Sequence, residues 1–433
     1  MDSLWSATAQ REIFPELEGD IRTDVVIVGG GLAGLMCLKE LTDRGVDCIL
    51  LEAERIGCGV TESTTAKVTF QHGLIYDKLL KTKGMEKAQQ YLIANKKALE
   101  KIRKLSKEFP CDFEEKDAYI FSSDDRRKIE EEVKAYEKLG VSAEFCNQIS
   151  LPVECAGAVK VSAQGQFHPL KFMFSIAKGL RIYENSKVVE FLPGKVRCRK
   201  GSVTAEKIIV ATHFPIINKH GAYWLKLFQH RSYIIAVKNA QDVKGMYLDE
   251  KENGLSFRNY KDYLLIGGGD HRTGQKGEGY RAAEDFCKKH FPDAHIAYRF
   301  ATQDCMSLDS VPYIGKYSES SEGLYVATGF NKWGMTSSVA AGDILADMVM
   351  GIKNPCADVF APDRSVFHPQ LLSNVFHSLL GIVTPTAPRC PHLGCALKYN
   401  KAEHSWDCPC HGSRFTESGE LINNPATDDL KNL

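Results

Sequence analysis

Residues 24–52 constrain this chain more than any other stretch. Asp24-Val25-Val26-Ile27-Val28 is an unbroken apolar run rich in β-branched residues, the pattern of a strand buried on both faces. Gly29-Gly30-Gly31-Leu32-Ala33-Gly34 comes next, a helical pattern runs to about Arg44, and Cys48-Ile49-Leu50-Leu51-Glu52 is a second strand. Strand, glycine turn, helix and strand in that order predict a βαβ unit and hence an α/β domain. Gly29 permits the tight turn, Gly31 lets the backbone approach a pyrophosphate at the helix N-terminus, and Gly34 lets helix and strand pack closely. Glu52 closes the second strand about twenty residues on, where an acid hydrogen-bonds ribose hydroxyls. A glycine pattern by itself is a weak signal; with strand, helix and terminal acid in place it reads as a dinucleotide site.

The choice between NAD and FAD rests on the residues after Glu52. Arg55-Ile56-Gly57-Cys58-Gly59-Val60-Thr61 continues straight from the second strand, and Ser63-Thr64-Thr65-Ala66-Lys67 supplies small hydroxyls where a flavin's phosphates and ring edge can rest. Far downstream, Gly323-Leu324-Tyr325-Val326-Ala327-Thr328-Gly329 is another strand-to-glycine element. A helix with apolar Val339, Ile344, Leu345, Met348 and Val349 comes after it. The positive end of such a late helix can sit at the flavin carbonyl region. Together these pieces resemble the D-amino-acid-oxidase/glycine-oxidase superfamily of FAD enzymes, over about residues 22–352. The resemblance implies FAD contacts at Gly29, Gly31, Gly34, Glu52, Thr64, Thr65 and the helix start Gly334-Met335-Thr336. Val188, in the returning strand group 187–211, is a plausible backbone contact to adenine.

Near the end stand two short loops, Cys390-Pro391-His392-Leu393-Gly394-Cys395 and Cys408-Pro409-Cys410-His411-Gly412-Ser413. A thiolate pair and an imidazole pair on two facing loops can hold a binuclear cluster whose irons are ligated differently. A structural Cys2His2 zinc site is the competing reading; zinc sites usually space their ligand pairs differently and need no additional cysteines. Both loops resemble the Rieske [2Fe–2S] family in residue type and spacing. The resemblance implies Cys390, His392, Cys408 and His411 as cluster ligands, a Cys395–Cys410 disulfide, a Ser413 hydrogen bond to a cluster sulfide, and a proline loop at Pro425-Ala426. Where high-potential members carry a tyrosine this chain has Phe415, so the low half of the Rieske range, about −150 to +300 mV, is expected. Rieske domains usually bring several base strands before the first loop. Here only a short stretch precedes Cys390, so a minimal cluster domain is expected to lean on the flavoprotein body or on a second subunit, which leaves a homo-oligomer open.

At 433 residues the chain has room for two or three domains. Lys+Arg and Asp+Glu are both 55, so nothing favours nucleic acid or an anionic membrane surface. The start shows no basic region followed by an apolar core, and no apolar run reaches the ~20 residues a bilayer span needs, so neither a signal peptide nor a transmembrane segment is expected. Of 14 cysteines, those between Cys37 and Cys356 are scattered singly, which suits a reducing cytoplasm.

The expected organisation is an FAD-dependent oxidoreductase region over 1–355, a linker over 356–387 and a Rieske domain over 388–433. Within the first, a Rossmann-like FAD-binding part (about 22–75, 180–215 and 320–352) interleaves with an α+β, antiparallel-sheet substrate domain (about 76–179 and 216–319). The cluster domain is expected to be small and all-β. Residues 85–140 read as amphipathic helices with solvated charged faces. Residues 371–383 read as a short docking helix or an interfacial anchor, docking being favoured because the stretch has few cations.

In the substrate domain, Arg231 and Tyr233 are candidates for a substrate clamp, with Gln303 beside Asp304, although Arg231 could equally be a structural cation. His72, just after the flavin-proximal threonines, is a further candidate. The combined reading is an electron-transfer flavoenzyme: a small amine or amino-acid-like substrate gives two electrons to FAD, and the cluster passes them singly to an external acceptor. The alternatives are a reductase running electrons from a donor through the cluster to FAD and substrate, and a non-catalytic redox sensor.

Overall fold

The structure is a computed structural model and describes residues 3–217, 220–385 and 388–430. The first two residues, Thr386–Ala387 of the expected linker and the last three residues of the expected cluster domain lie outside the described residues. Three sheets organise the fold. The first runs in the order Tyr313–Lys316, Leu324–Thr328, Gly201–Val210, Gly19–Val28, Cys48–Leu51, Ile182–Tyr183, with the hairpin Val188–Leu192/Lys195–Cys198 attached. Its central strands are parallel, Val25–Val28 pairing with Cys48–Leu51 on one side and Lys207–Val210 on the other. Both faces of the sheet are covered, which is why these strands read as unbroken apolar runs. On one face the helices Leu32–Asp43 and Gly334–Val349 pack against each other. They come so close at Gly342 that a Cβ there would lie 3.0 Å from the Met36 backbone.

The second sheet has nine strands in the order His295–Ser307, Leu227–Lys238, Tyr263–Arg272, Ser256–Tyr260, Met246–Asp249, Glu114–Ser122, Gly157–Gln166, Lys67–Val68, with Glu144–Cys146 also paired to Gly157–Gln166. It is antiparallel except for one parallel junction, Met246–Asp249 beside Ala118–Phe121. The strand Glu114–Ser122 lies inside the stretch expected to be helical, between the helices Ile75–Glu108 and Arg126–Lys138. Its charged opening hides its nature; pairing along Gly157–Gln166 and burial of Ala118, Ile120 and Phe121 override that local signal.

The third sheet is small: Lys398–Asn400, Ser405–Asp407, Arg414–Thr416 and Leu421–Asn423. Its own core is little more than Leu397, Phe415, Ala426 and the four loop cysteines. The helix Pro369–Val383 runs beside it and docks by an unexpected edge. Asn374 and Gly381 are its buried residues, while Leu372, Phe376, Leu379 and Val383 face solvent. Gly381 is required there, because a Cβ would lie 2.5 Å from Cys410 Sγ. Among the described residues no helix is long and apolar enough to cross a membrane.

Candidate functional site

The glycine turn forms as its residues dictate. Gly29 stands at φ +112°, where a Cβ would lie 2.5 Å from the Ala211 carbonyl oxygen, and a Cβ on Gly34 would fall 1.9 Å from the Gly29 carbonyl oxygen. The helix Leu32–Asp43 starts without a side-chain hydrogen bond from its cap residue Gly31, and its first turn carries no acid. A helix start of that kind is a natural seat for a phosphate. Glu52 ends its strand as expected; its Oε2 accepts from Gly30 N–H at 2.5 Å and its Oε1 from Glu54 N–H at 2.9 Å. Burial pushes its carboxyl above the ordinary range. Val188 is buried in the core that also contains Val28 and Leu51. These residues fit a dinucleotide: a cradle that side chains would fill, a helix start, and an acid at the strand end.

Over one face of the second sheet, beside the start of the late helix, lies a cavity of ≈ 460 Å³. Thr64, Thr65, Lys67, Trp333 and Met335 line one part of it, so the hydroxyl-rich stretch and the late helix start meet where the sequence places a flavin ring. Lys67 has no carboxylate partner among the described residues, and burial lowers its ammonium to about 7. His72 also lines the cavity, but both its nitrogens are engaged. Nε2 lies 2.8 Å from the Thr69 carbonyl oxygen and 3.0 Å from Thr336 Oγ1, and Nδ1 lies 2.6 Å from Tyr91 Oη. Because a carbonyl can only accept, Nε2 carries the proton and Nδ1 accepts from the Tyr91 hydroxyl. Burial drives the ring to about 3, so it stays neutral, stacked on Trp333 with ring centres 4.9 Å apart. Its hydrogen bonds tie the Thr69 turn to the helix that begins at Gly334, which makes it a positioning residue.

The expected clamp lies elsewhere. Phe228, His230, Ser232 and Ile234 of the strand Leu227–Lys238 line the cavity; Gln229, Arg231 and Tyr233 alternate to the opposite face. The neighbouring strand repeats this, with Thr302, Asp304 and Met306 toward the cavity and Gln303 away from it. Arg231 is buried against Glu403 of the small sheet, Nε to Oε2 at 2.9 Å. Tyr233 Oη accepts from Asn400 Nδ2 at 3.2 Å, and Gln303 Nε2 donates to the Gly412 carbonyl at 2.8 Å. Arg231, Tyr233 and Gln303 therefore hold the cluster module and do not reach the cavity. The error is one of strand parity: both faces of these strands are buried, so no polar/apolar alternation marks which side faces the pocket.

On that far face the two cysteine–histidine loops come together. Each loop closes on itself, with Gly394 N–H donating to Cys390 O at 2.9 Å and Gly412 N–H to Cys408 O at 3.0 Å. Cys390 and Cys408 are buried, and their side chains interact. The His392 and His411 rings stand at 87° with centres 5.0 Å apart. His411 is buried with neither ring nitrogen hydrogen-bonded among the described residues, an arrangement a metal bond would satisfy. Cys395 and Cys410 form a disulfide joining the loops. The Cys395, Cys408 and Cys410 sulfurs also cluster, but two of them are spent in that disulfide, so this trio is not a metal site. Ser413 Oγ accepts from Ala426 N–H at 3.0 Å, bringing the proline loop over the site. A buried pair of thiols and a facing pair of imidazoles on two joined loops fit a [2Fe–2S] cluster of the Rieske kind.

Sequence reasoning missed what seats this module on the body. Arg272, at the end of the strand Tyr263–Arg272, donates to the Pro409 carbonyl at 3.3 Å, the Cys410 carbonyl at 3.1 Å and Asn374 Oδ1 at 2.8 Å. It grips the second loop and the Pro369–Val383 helix at once, and burial lowers it to about 10. Gln229 Nε2 donates to the His411 carbonyl at 2.9 Å and the Asn424 carbonyl at 3.0 Å. Glycines let the surfaces approach, since a Cβ on Gly412 would lie 2.6 Å from Gln229 Cβ and one on Gly274 2.5 Å from Pro409 N. Glu403 also accepts from Arg414 Nη2 at 3.0 Å, so one carboxylate serves two buried guanidinium groups. Glu403→Ala should leave Arg231 without its carboxylate at a cost of about 3 kcal/mol, because an uncompensated buried charge is strongly unfavourable. The expected result is faster proteolytic cleavage before Cys390 with the flavin absorbance retained; unchanged cleavage would mean that the ion pair does not secure the module.

The profile described as FAD dependent oxidoreductase (DAO) matches residues 24–348, and that described as Rieske [2Fe-2S] domain matches 373–433. The chain belongs to the DAO family of FAD-dependent oxidoreductases and carries a Rieske domain. The Rieske match takes in most of the Pro369–Val383 helix, ahead of the expected start at 388. The Rieske 2Fe-2S iron-sulfur protein YhfW of Bacillus subtilis (strain 168) is 32% identical over 100% of this chain and 97% of its own length. Gamma-glutamylputrescine oxidoreductase of Escherichia coli (strain K12) is 26% identical, over 81% of this chain and 89% of its own. Among solved structures, L-proline dehydrogenase from P. horikoshii shares the fold of the flavoprotein part, with a TM-score of 0.66 at 19% identity over 81% of this chain and 98% of that one. As a member of this family with a Rieske domain, the chain is an oxidoreductase that binds FAD and a [2Fe-2S] cluster.

Proposed function

We propose that this FAD oxidoreductase oxidises a small amine or amino-acid-like compound and sends the electrons one at a time through the Rieske cluster to an external acceptor. One observation carries the reading. The strands Leu227–Lys238 and His295–Ser307 present alternate residues to the substrate cavity and to the cluster loops, so a single layer of sheet separates the two redox sites. Successive side chains of a strand point to opposite faces, so one strand layer carries the lining of both sites. Bound FAD accepts electrons in pairs and the cluster carries them singly, so each substrate oxidised calls for two cluster passages.

The chain's own residues tie this wall together. Gln303 Nε2 donates to Gln229 Oε1 at 2.6 Å as well as to the Gly412 carbonyl, so the strand pair and the cluster loop form one hydrogen-bonded unit. Trp224 sets its ring 6.4 Å from that of His411, shielding the cluster on the body side. On the cavity side, His72 holds Trp333 and the Gly334 helix start in place. The relative named for gamma-glutamylputrescine supports an amine-bearing substrate. The ten cysteines outside the cluster loops are all free, and we place the protein in the cytoplasm accordingly.

Anaerobic mixing with a panel of small amines and amino acids tests the proposal. Bleaching of the flavin followed by appearance of the reduced-cluster paramagnetic signal is expected. A panel that never bleaches the flavin, or a bleached flavin beside a cluster that stays oxidised, would sink it.

A further inference from the structure

The cavity floor holds four polar side chains whose bonding capacity the fold leaves unmet. His230 and Asp304 are directly opposed on the antiparallel strands Leu227–Lys238 and His295–Ser307, and Ser232 and Thr302 form the next pair on the same face. His230 Nδ1, Ser232 Oγ and Thr302 Oγ1 are buried without a hydrogen-bond partner among the described residues, while His230 Nε2 lies 3.6 Å from the exposed Glu252. Asp304 is 8% exposed and makes no hydrogen bond or ion pair among the described residues; Lys332, which lines the same cavity, is paired instead with Asp270. Native interiors rarely leave such groups unpaired, and four of them on one patch of a cavity wall describe a surface awaiting a ligand.

Resting on the proposed amine reading, we infer that this floor is the substrate-anchoring site, with Asp304 and His230 receiving an alkylammonium group and Ser232 and Thr302 hydrogen-bonding a neutral polar group farther along the same ligand. The chemistry of each pair sets its part. Of these four side chains only the ionised Asp304 carboxylate carries a full negative charge, and an ammonium is the ligand group that removes the cost of burying it. His230 is kept neutral by burial, which lowers it to about 3, so its free Nδ1 adds an acceptor or a donor without competing for the charge. Residues two apart on a strand face lie about 7 Å from each other, which sets the spacing of the two polar groups on the ligand. No arginine lines the cavity among the described residues, so a ligand's carboxylate has no bidentate guanidinium partner there; the lining cations are Lys67, Lys78, Lys251 and Lys332, and none of them belongs to the floor pairs.

The test reads occupancy without turnover. tert-Butylammonium carries no hydrogen on the carbon bearing its nitrogen and cannot be oxidised there; tert-butanol and pivalate have the same shape with neutral and negative charge. Titrating each into the oxidised holoenzyme and following the flavin spectrum should rank the cation tightest. Asp304→Asn should weaken tert-butylammonium by about tenfold or more, the scale of one charge-assisted hydrogen bond, while pivalate binds as well or better. Binding of the cation to the unaltered protein should also fade as pH falls through about 6, because burial raises Asp304 to that value. His230 across the strands, Lys332 before the late helix, Asp270 on the adjacent strand and Arg231 on the far face are the charged or titratable groups around it; Lys332 and Arg231 favour ionisation and Asp270 opposes it. In Asp304→Asn that acid limb should disappear. Equal affinity for the cation in both proteins, or loss of FAD from Asp304→Asn with cation binding unchanged, would overturn the assignment. A failure of the electron relay leaves these titrations intact, so the two proposals fail separately.

Discussion

Gly34→Val should yield protein that purifies without FAD. The added side chain would begin 1.9 Å from the Gly29 carbonyl oxygen, so the helix Leu32–Asp43 must move off its strand and carry its phosphate-facing N-terminus with it. Overpacking a tight contact costs roughly 1–3 kcal/mol, more where backbone is struck, which is enough to reduce dinucleotide affinity by on the order of 100-fold. Gly31→Ala is the informative companion. A Cβ at Gly31 meets nothing closer than Thr61 Oγ1 at 3.7 Å, so the polypeptide itself tolerates it. Its expected effect is weaker FAD binding with the melting temperature of the flavin-free protein unchanged. Flavin released on heating and the apo-protein melting temperature check both; full flavin occupancy in Gly34→Val would refute the role given to the turn.

The second large effect is expected at the cluster. Cys408→Ser removes a buried thiolate from one of the two facing loops, while the disulfide, the Arg272 grip and the Glu403 ion pairs remain to hold the module. Loss of outer-shell partners alone lowers metal affinity by about 10–100-fold, so losing a direct ligand should strip the iron. Flavin content should be unaffected, because the FAD residues sit across the sheet. If electrons leave through the cluster, substrate still bleaches the flavin of this variant, while reduction of a one-electron acceptor falls to background. Iron and sulfide analysis with stopped-flow absorbance decides it. Undiminished acceptor reduction in the iron-free variant would mean that the flavin discharges directly.

Legibility from sequence was uneven, for identifiable physical reasons. The turn Gly29–Gly34 and the loops at Cys390–Cys395 and Cys408–Ser413 were readable because each is local: a few consecutive residues specify backbone approach or ligand donor atoms without help from the rest of the fold. The strand Glu114–Ser122 was missed because its first residues are charged and only pairing with Gly157–Gln166 makes it a strand. Arg272, Gln229 and Gly274 could not be found as supports of the cluster, since their partners lie more than a hundred residues away in sequence.

The cavity floor draws the line most sharply. That residues 230–310 alternate like a sheet is legible from composition and periodicity, and Arg231, Tyr233 and Gln303 were credible candidates within that stretch. Which residues of a strand face the substrate is decided by a single step of register, and it places His230, Ser232, Thr302 and Asp304 inside. The two cofactor sites could be read from residue order, because each depends on residue type at fixed local spacing. Which face of the shared wall serves each site is a property of the assembled chain: with the cavity on one side and the cluster module on the other, both faces are buried, and hydrophobic alternation has nothing left to report.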